Sequence, residues 1–356
     1  MRDATSITRR SLLGALGMIP AGHLLRGQQE TLPPGFSTTV KVVNLFATVR
    51  NKQGQVVKDL KQDDFQLDEE GQPQTIRYFS RETDLPLTLG LLVDTSGSQR
   101  AVLPEERSAS FRFLDKVMRE DKDKAFVIHF DFQVELLEDL TSSKDVLRKS
   151  LDQLEIGMNR RQQGGGGGYP TGGGGYPGGG GGGGRGRGRG GGRGGGGTTL
   201  YDAVFLGADE IMKKQHGRKA MIILTDGVDN GSKLTLSSAV ESAQRGDTLV
   251  YGILFSDPDA YGGRGGFGGR GGRVETDDGK KVLMRMSNET GGHFFEVSKR
   301  LPIDKVYAAI EEELRSQYSI GYSPDTKAGS TDYRHVHLST KQKNLIVQTR
   351  EGYYPA

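Results

Sequence analysis

The sequence contains no cysteine among its 356 residues. Neither a disulfide nor a lipid-modified cysteine can form, so packing and bound ions must stabilise the fold. Apolar residues make up only 34% of the chain, which is low for a globular protein. The 55 glycines, many of them in two runs, account for this deficit, because the apolar segments between the runs are dense enough for a core. We expect one large domain with smaller flanking pieces.

The sequence also lacks the motifs of common enzyme classes. It has neither a P-loop nor a zinc-binding pattern. Ser96 precedes Gly97 but lacks the preceding glycine of a nucleophile elbow, and no motif supplies a histidine to activate it. His335 and His337 share one face of a predicted strand, which is more typical of a solvated face than of a metal site. We therefore expect that the protein is not an enzyme.

The small formal net charge of +3 hides an uneven distribution of charge. Nine arginines lie in or beside the glycine tracts, namely Arg160, Arg161, Arg185, Arg187, Arg189, Arg193, Arg264, Arg270 and Arg273. The remaining chain is acidic, and the tracts predict flexible basic loops that could attract an acidic partner. An alternative is low-complexity expansion that surface loops tolerate. The tracts resemble RNA-binding RGG segments, but an export signal at the start of the chain argues against nucleic acid.

Residues 1–27 have the form of an export signal. Arg9 and Arg10 precede an apolar stretch that continues to about Leu25. That stretch is too short for a membrane span, which needs roughly 20 apolar residues. The adjacent arginines resemble a twin-arginine signal, which implies export of a folded protein. We expect a periplasmic, cell-envelope associated or secreted protein, in which the signal is either cleaved or retained as an anchor.

Strand and helix patterns divide the rest of the chain into three parts. Residues 34–83 alternate like antiparallel strands, and residues 318–356 return to that pattern. Residues 84–317 alternate apolar strands with amphipathic helices, which predicts a doubly wound, mainly parallel, Rossmann-like α/β sheet with glycine-rich insertions at 164–197 and 261–273. Each outer segment is too short to bury a stable core alone. We predict that the two form one β-sandwich, the alternative being two separate β appendages.

The first buried strand of this sheet, predicted at residues 87–93, is followed by Asp94, Ser96 and Ser98. Open parallel sheets bind ligands beyond the carboxyl ends of their strands. One carboxylate and two hydroxyls on a tight turn present oxygen atoms to one point, which suits a hard cation such as Mg²⁺ or Ca²⁺. This turn is the candidate cation site.

Two other segments place oxygen atoms near the same edge. Asp226 follows a second apolar strand, and Thr198 precedes a predicted helix, with Thr199 as a possible substitute. We predict that the three loops converge on one ion. The alternative is structural, with Asp94 and Asp226 capping turns or helix starts.

These three elements, in this order, resemble the metal-ion-dependent adhesion site (MIDAS) of von Willebrand factor type A (VWA) domains over roughly residues 84–316. The resemblance assigns Asp94, Ser96 and Ser98 to the first motif, Thr198 to the second and Asp226, through water, to the third. It implies a bound divalent cation, most plainly Mg²⁺, with Ca²⁺ or Mn²⁺ as alternatives. In that family the last coordination position accepts a carboxylate from the partner.

The flanking segments, such as Asp64-Phe65 and Gly321-Tyr322, resemble those of a bacterial family of VWFA-related proteins. The expected function is an exported, metal-dependent adhesion or protein-binding module that captures an acidic protein or polysaccharide through its cation. The alternative is a structural or chaperone-like scaffold component of a cell-envelope assembly.

Overall fold

The computed structural model describes residues 42–81, 85–99, 101–154, 198–255, 271–324 and 332–355, with the backbone alone at 271–277. The predicted export signal and most of both glycine-rich insertions lie outside these residues. None of the helices in the described part has the length and apolar character that crossing a membrane requires.

The central domain is a six-stranded sheet with helices on both faces. Its strands are β5 (Leu87–Asp94), β6 (Lys124–Phe130), β7 (Val134–Thr141), β8 (Arg218–Thr225), β9 (Leu249–Leu254) and β10 (Phe294–Glu296). Its helices are α1 (Leu103–Val117), α2 (Lys144–Asp152), α3 (Leu200–Phe205), α4 (Leu236–Arg245), α5 (Gly271–Thr290) and α6 (Ile303–Leu314). The strand order is β10-β9-β8-β5-β6-β7, and every pair is parallel except β6 with β7. The predicted doubly wound sheet is therefore the observed one.

The side chains of β5 alternate between two hydrophobic cores. Leu89, Leu91 and Val93 point to the face covered by α1, α2 and α6, whereas Leu92 points to the face covered by α3, α4 and α5. All eight residues of β5 are buried, as expected for a strand that is covered on both faces. The carboxyl end of this central strand therefore emerges between the two helix layers.

Two elements are longer than the sequence predicted. Apolar residues predict a short edge strand at 134–137, whereas β7 continues to Thr141. Apolar periodicity predicts a helix over 282–290, whereas α5 begins at Gly271. The sequence does not indicate this earlier start, because the first turns of α5 lack apolar periodicity. The predicted insertion at 261–273 therefore overlaps this helix. The spacing of apolar residues also predicts a helix over 200–212, and in the structure a π-helical segment, Leu206–Ile211, follows α3.

The outer segments form one β-sandwich, as predicted, and not two appendages. Its strands are β1 (Val43–Asn51), β2 (Phe65–Glu69), β3 (Gln72–Pro73), β4 (Ile76–Ser80), β11 (Tyr318–Tyr322), β12 (Arg334–Thr340), β13 (Leu345–Gln348) and β14 (Gly352–Tyr353). One antiparallel sheet has the order β13-β1-β11-β4, and the other has the order β14-β12-β2-β3. A single core lies between them, so both chain segments contribute to each sheet.

Tyr318 links the two segments through its hydroxyl group. This hydroxyl donates to the carbonyl of Val57 at 2.8 Å and accepts from the amide of Leu60 at 3.1 Å. The ring is fully buried in the sandwich core. The sandwich also contacts the central domain, because Arg50 of β1 forms an ion pair with the buried Glu313 of α6.

Replacing Tyr318 with Phe should lower the free energy of unfolding by about 1 to 3 kcal/mol, because the amide of Leu60 loses its buried acceptor. Tyr78, on the adjacent strand β4, is 58% exposed and provides a matched control. Its replacement with Phe should change the free energy by less than about 0.5 kcal/mol. Urea unfolding measures both, and equal effects would contradict this role of the Tyr318 hydroxyl.

Candidate metal site

Asp94 is the last residue of β5 and is fully buried. The parallel pairing of β5 with β8 sets Val93 opposite Leu224, which brings the following residues, Asp94 and Thr225, side by side. The hydroxyl of Thr225 donates to Oδ2 of Asp94 at 2.6 Å, and the amide of Ser96 donates to Oδ1 at 2.8 Å. These bonds fix the carboxylate at the edge of the sheet.

The two serines of the first motif lie on the turn that follows. The hydroxyls of Ser96 and Ser98 are 3.0 Å apart, and both residues are only half-buried. A short 3₁₀ turn, Gly97–Gln99, holds them on the same side. Two hydroxyl oxygens at this separation can bind the same cation, and their partial exposure leaves a path to solvent.

Asp226 lies just beyond the end of β8 and is 3% exposed. Its Oδ1 accepts a hydrogen bond from the amide of Val228 at 3.1 Å. Gly227 has a φ of +79°, which favours glycine, and Gly279 of α5 packs against this turn. A Cβ on Gly279 would lie 2.3 Å from the carbonyl oxygen of Asp226, so glycine is required at this close approach.

The second loop is attached to both neighbouring loops. The amide of Thr198 donates to Oδ1 of Asn230, in the loop after β8, at 2.7 Å. Both the amide and the hydroxyl of Thr199 donate to the carbonyl of Asp131, in the loop after β6, at 2.8 and 3.0 Å. The Thr199 hydroxyl donates its hydrogen but keeps its lone pairs, so Thr198 and its possible substitute Thr199 both stay candidates for the ligand of the second motif.

The site is strongly acidic in character. Burial, followed by the charge of Asp226, raises the pKa of Asp94 to about 7, although hydrogen bonds from Ser96 and Thr225 act in the opposite direction. Burial and the charges of Asp94 and Asp226 also raise the pKa of Glu106, on α1, well above its ordinary value. A divalent cation between these groups would stabilise the ionised carboxylates.

The donor set fits a hard cation with oxygen ligands. The described residues contain no group of three or more acidic or histidine side chains close enough together to hold an ion directly. The proposed ligands are of a different kind, because hydroxyls of Ser96, Ser98 and Thr198 supplement the carboxylates. Oxygen-only sites of this type suit Mg²⁺, Mn²⁺ or Ca²⁺ rather than softer metals.

A chain of hydroxyl, imidazole and carboxylate groups also lies beside the site. Oγ1 of Thr95 is 3.1 Å from Nδ1 of His129, and Nε2 of His129 is 3.1 Å from Oε2 of Glu135. Thr95 is fully buried, and its amide donates to the carbonyl of Phe130 at 2.9 Å. These contacts hold the turn that follows Asp94.

The sequence patterns do not identify three further residues at the site. Thr225 is predicted only as part of a strand end, although it bonds to Asp94. Gln99 is buried and, in the amide orientation that satisfies its neighbours, donates to the carbonyl of Phe255 and accepts from the amide of Asp226, each at 3.3 Å. Glu106 is a charged residue on a helix, and nothing in the sequence marks it as buried.

No protein-family model and no curated relative matches the chain. Similar solved structures include a von Willebrand factor type A protein from Catenulispora acidiphila, at 10% identity and a TM-score of 0.43, covering 90% of this chain and 75% of that chain. An aerotolerance-related membrane protein from Bacteroides fragilis matches at 14% identity and a TM-score of 0.41, and the match covers 64% of this chain and 98% of that chain. Proximal thread matrix protein 1 from the mussel byssus, with a zinc-occupied MIDAS motif, matches at 14% identity and a TM-score of 0.43.

The chain covers 50% of that mussel protein, which in turn matches 70% of this chain. Similarity at these identities concerns the fold alone. The architecture predicted from the sequence, a doubly wound α/β sheet with a flanking β-sandwich, is confirmed.

Replacing Asp94 with Asn should stabilise the cation-free chain at pH 8 relative to the unchanged chain. The ordinary pKa of 3.8, expected after unfolding, lies below the folded value of about 7. Between these values the folded state binds more protons, so its free energy of unfolding falls as pH rises, by at most about 1.4 kcal/mol per pH unit. The amide of the variant has no carboxyl proton to lose, which removes this dependence.

Urea unfolding in a chelator at pH 4.5 and pH 8 measures the free energy of unfolding of Asp94→Asn and of the unchanged chain. Contributions from the other carboxylates cancel in the difference between the two free energies. Asp121→Asn, at an exposed turn, serves as the control and should change the free energy by less than about 0.5 kcal/mol at either pH. An Asp94→Asn chain that is equally destabilised at both pH values would contradict the raised pKa.

Proposed function

We propose that this protein is an exported binding module that captures acidic partners through a divalent cation at the edge of its central sheet. The observation that carries this proposal is the meeting of Asp94, Asp226 and the paired hydroxyls of Ser96 and Ser98 at the ends of two adjacent parallel strands. Ligands bind at this edge of open α/β sheets.

A cation at this position would be held mainly by the first loop. The hydroxyl oxygens of Ser96 and Ser98, with that of Thr198, are the proposed direct ligands, and the carboxylates of Asp94 and Asp226 supply the balancing negative charge. When bound, the cation supplies a positive centre that can attract an anionic ligand group. The partial exposure of Ser96 and Ser98 supports access from solvent.

The chemistry of the partner follows from the chemistry of the cation. Hard divalent cations prefer oxygen ligands, and a carboxylate brings both an oxygen and a compensating charge. An acidic protein or an acidic polysaccharide therefore suits the site better than a neutral ligand. The glycine-rich insertions precede Thr198 and follow Phe255 in the sequence. Their arginines are positively charged, like the cation, and would add a long-range attraction for an acidic partner.

A binding role accounts for the site better than a catalytic one. The half-buried hydroxyls of Ser96 and Ser98 bond to each other rather than to a base. The histidine near this turn, His129, contacts the buried Thr95 instead. Within the described residues, the site therefore lacks the base next to an accessible nucleophile that acyl transfer requires.

Calorimetric titration of the purified chain with Mg²⁺, Mn²⁺ and Ca²⁺ tests the cation. We expect binding of at least one ion, and a loss of affinity of roughly 100-fold in Asp94→Ala and roughly 10-fold or more in Asp226→Ala. Asp121→Ala removes an exposed carboxylate elsewhere and should retain the original affinity. If the unchanged chain binds none of the three ions at millimolar concentration, the proposal fails.

Binding to immobilised polygalacturonate tests the acidic partner, with the methyl-esterified polymer as a neutral control of the same backbone. We expect retention on the acidic polymer in the presence of the cation and release by a chelator. Asp94→Ala should bind no better with cation than without it. Retention that survives the chelator would point to the basic segments alone and would favour a scaffold function over cation-mediated capture.

A further inference from the structure

Glu106 is the most unusual side chain near the proposed cation site. It lies in the first turns of α1, the helix that follows the Asp94 loop, and its exposed fraction is 0%. Neither Oε1 nor Oε2 has a hydrogen-bond partner among the described residues. Its neighbour Glu105 is exposed to solvent on the same helix. A buried carboxyl group without a partner is rare in folded proteins and calls for a physical explanation.

The surroundings of Glu106 make its burial more unfavourable rather than less. The carboxyl group interacts electrostatically with Asp94 and Asp226, and both charges add to the effect of burial in raising its pKa. Glu105 acts in the same direction. Tyr307, whose charge state also responds to Glu106, has its hydroxyl bonded to Oγ of Ser110 at 2.7 Å. The described residues thus offer Glu106 no compensating donor or cation.

Protonation alone does not resolve this situation. A neutral carboxyl group still has one hydrogen to donate and lone pairs that accept, and both oxygens of Glu106 lack partners in the part of the chain that the structure describes. The charged groups that act most strongly on Glu106 are the two carboxylates of the proposed cation site, so Glu106 lies within electrostatic reach of both. A hydrated divalent cation beside those carboxylates would supply both a positive charge and water hydrogens.

We propose that Glu106 is a third carboxylate of the cation site, which accepts a hydrogen bond from a water molecule of the bound ion's hydration shell. This inference rests on the proposed cation binding at Asp94 and Asp226. Direct ligation by all three carboxylates is not required, in agreement with the separation of the acidic side chains among the described residues. The negative charge of Glu106 strengthens binding of the ion, because the charge of the ligands tunes cation affinity at oxygen sites.

Glu106→Gln keeps the shape of the side chain and removes its charge. In calorimetry on the full chain at pH 7.5, we expect this variant to bind Mg²⁺ roughly 10- to 100-fold more weakly than the unchanged chain. Glu105→Gln makes the same change one residue earlier, at an exposed position, and should alter the affinity less than about 3-fold. Urea unfolding in a chelator should show Glu106→Gln at least as stable as the unchanged chain, since glutamine has no acid group whose pKa is raised by folding.

A purely structural role for Glu106 predicts the opposite combination. Under that role, Glu106→Gln and the apolar variant Glu106→Met would unfold more easily in the chelator and would bind Mg²⁺ normally when folded. We expect both variants to fold in the chelator and to bind Mg²⁺ weakly. Original Mg²⁺ affinity in either folded variant would overturn the inference while leaving the proposed function intact. Failure of the unchanged chain and of Glu105→Gln to bind any of Mg²⁺, Mn²⁺ and Ca²⁺ would instead overturn both.

Discussion

The repulsion between two buried carboxylates is the constraint on which the site depends. Asp94 ends β5, and Asp226 follows the end of the adjacent parallel strand β8. The pairing of these strands places the carboxylates within electrostatic reach of each other, and burial, followed by the charge of Asp226, raises the pKa of Asp94. A fold that keeps such a pair in its interior must supply hydrogen bonds, protons or a cation to offset the repulsion.

Part of this compensation comes from the protein. Thr225 and the amide of Ser96 donate to Asp94, while Val228 donates to Asp226. These bonds hold the two turns in place, and close packing of Gly279 against the Asp226 turn limits their movement. The pKa of Asp94 nevertheless remains high, at about 7. The protein groups therefore offset the cost of burial and the repulsion only in part, which is the physical basis for proposing a cation.

Most of the architecture could be predicted from the sequence, because it follows from residue periodicity. The apolar run of β5 predicted a strand covered on both faces, and the short alternating segments at each end of the chain predicted a shared sandwich. The site residues Asp94 and Asp226 could be identified because each directly follows an apolar strand. Whether they bind an ion stays a prediction.

Other features depend on tertiary contacts that no local pattern records. Glutamate on a helix normally faces solvent, so the burial of Glu106 could not be recognised from sequence. The early start of α5 at Gly271 was missed for a related reason, since its first turns lack apolar periodicity. The sequence does not indicate that Gln99 bonds to the amide of Asp226. That contact depends on the position of Phe255, whose carbonyl accepts from the Gln99 side chain and which follows a different strand.

The position of the cation is the most direct test of this account. Crystals grown with Mn²⁺ and measured near the manganese absorption edge would reveal the ion through its anomalous scattering. We predict one strong peak within bonding distance, about 2.2 Å, of the hydroxyl oxygens of Ser96 and Ser98, next to Asp94 and Asp226. A peak elsewhere, or no peak at a Mn²⁺ concentration that saturates calorimetric binding, would contradict it.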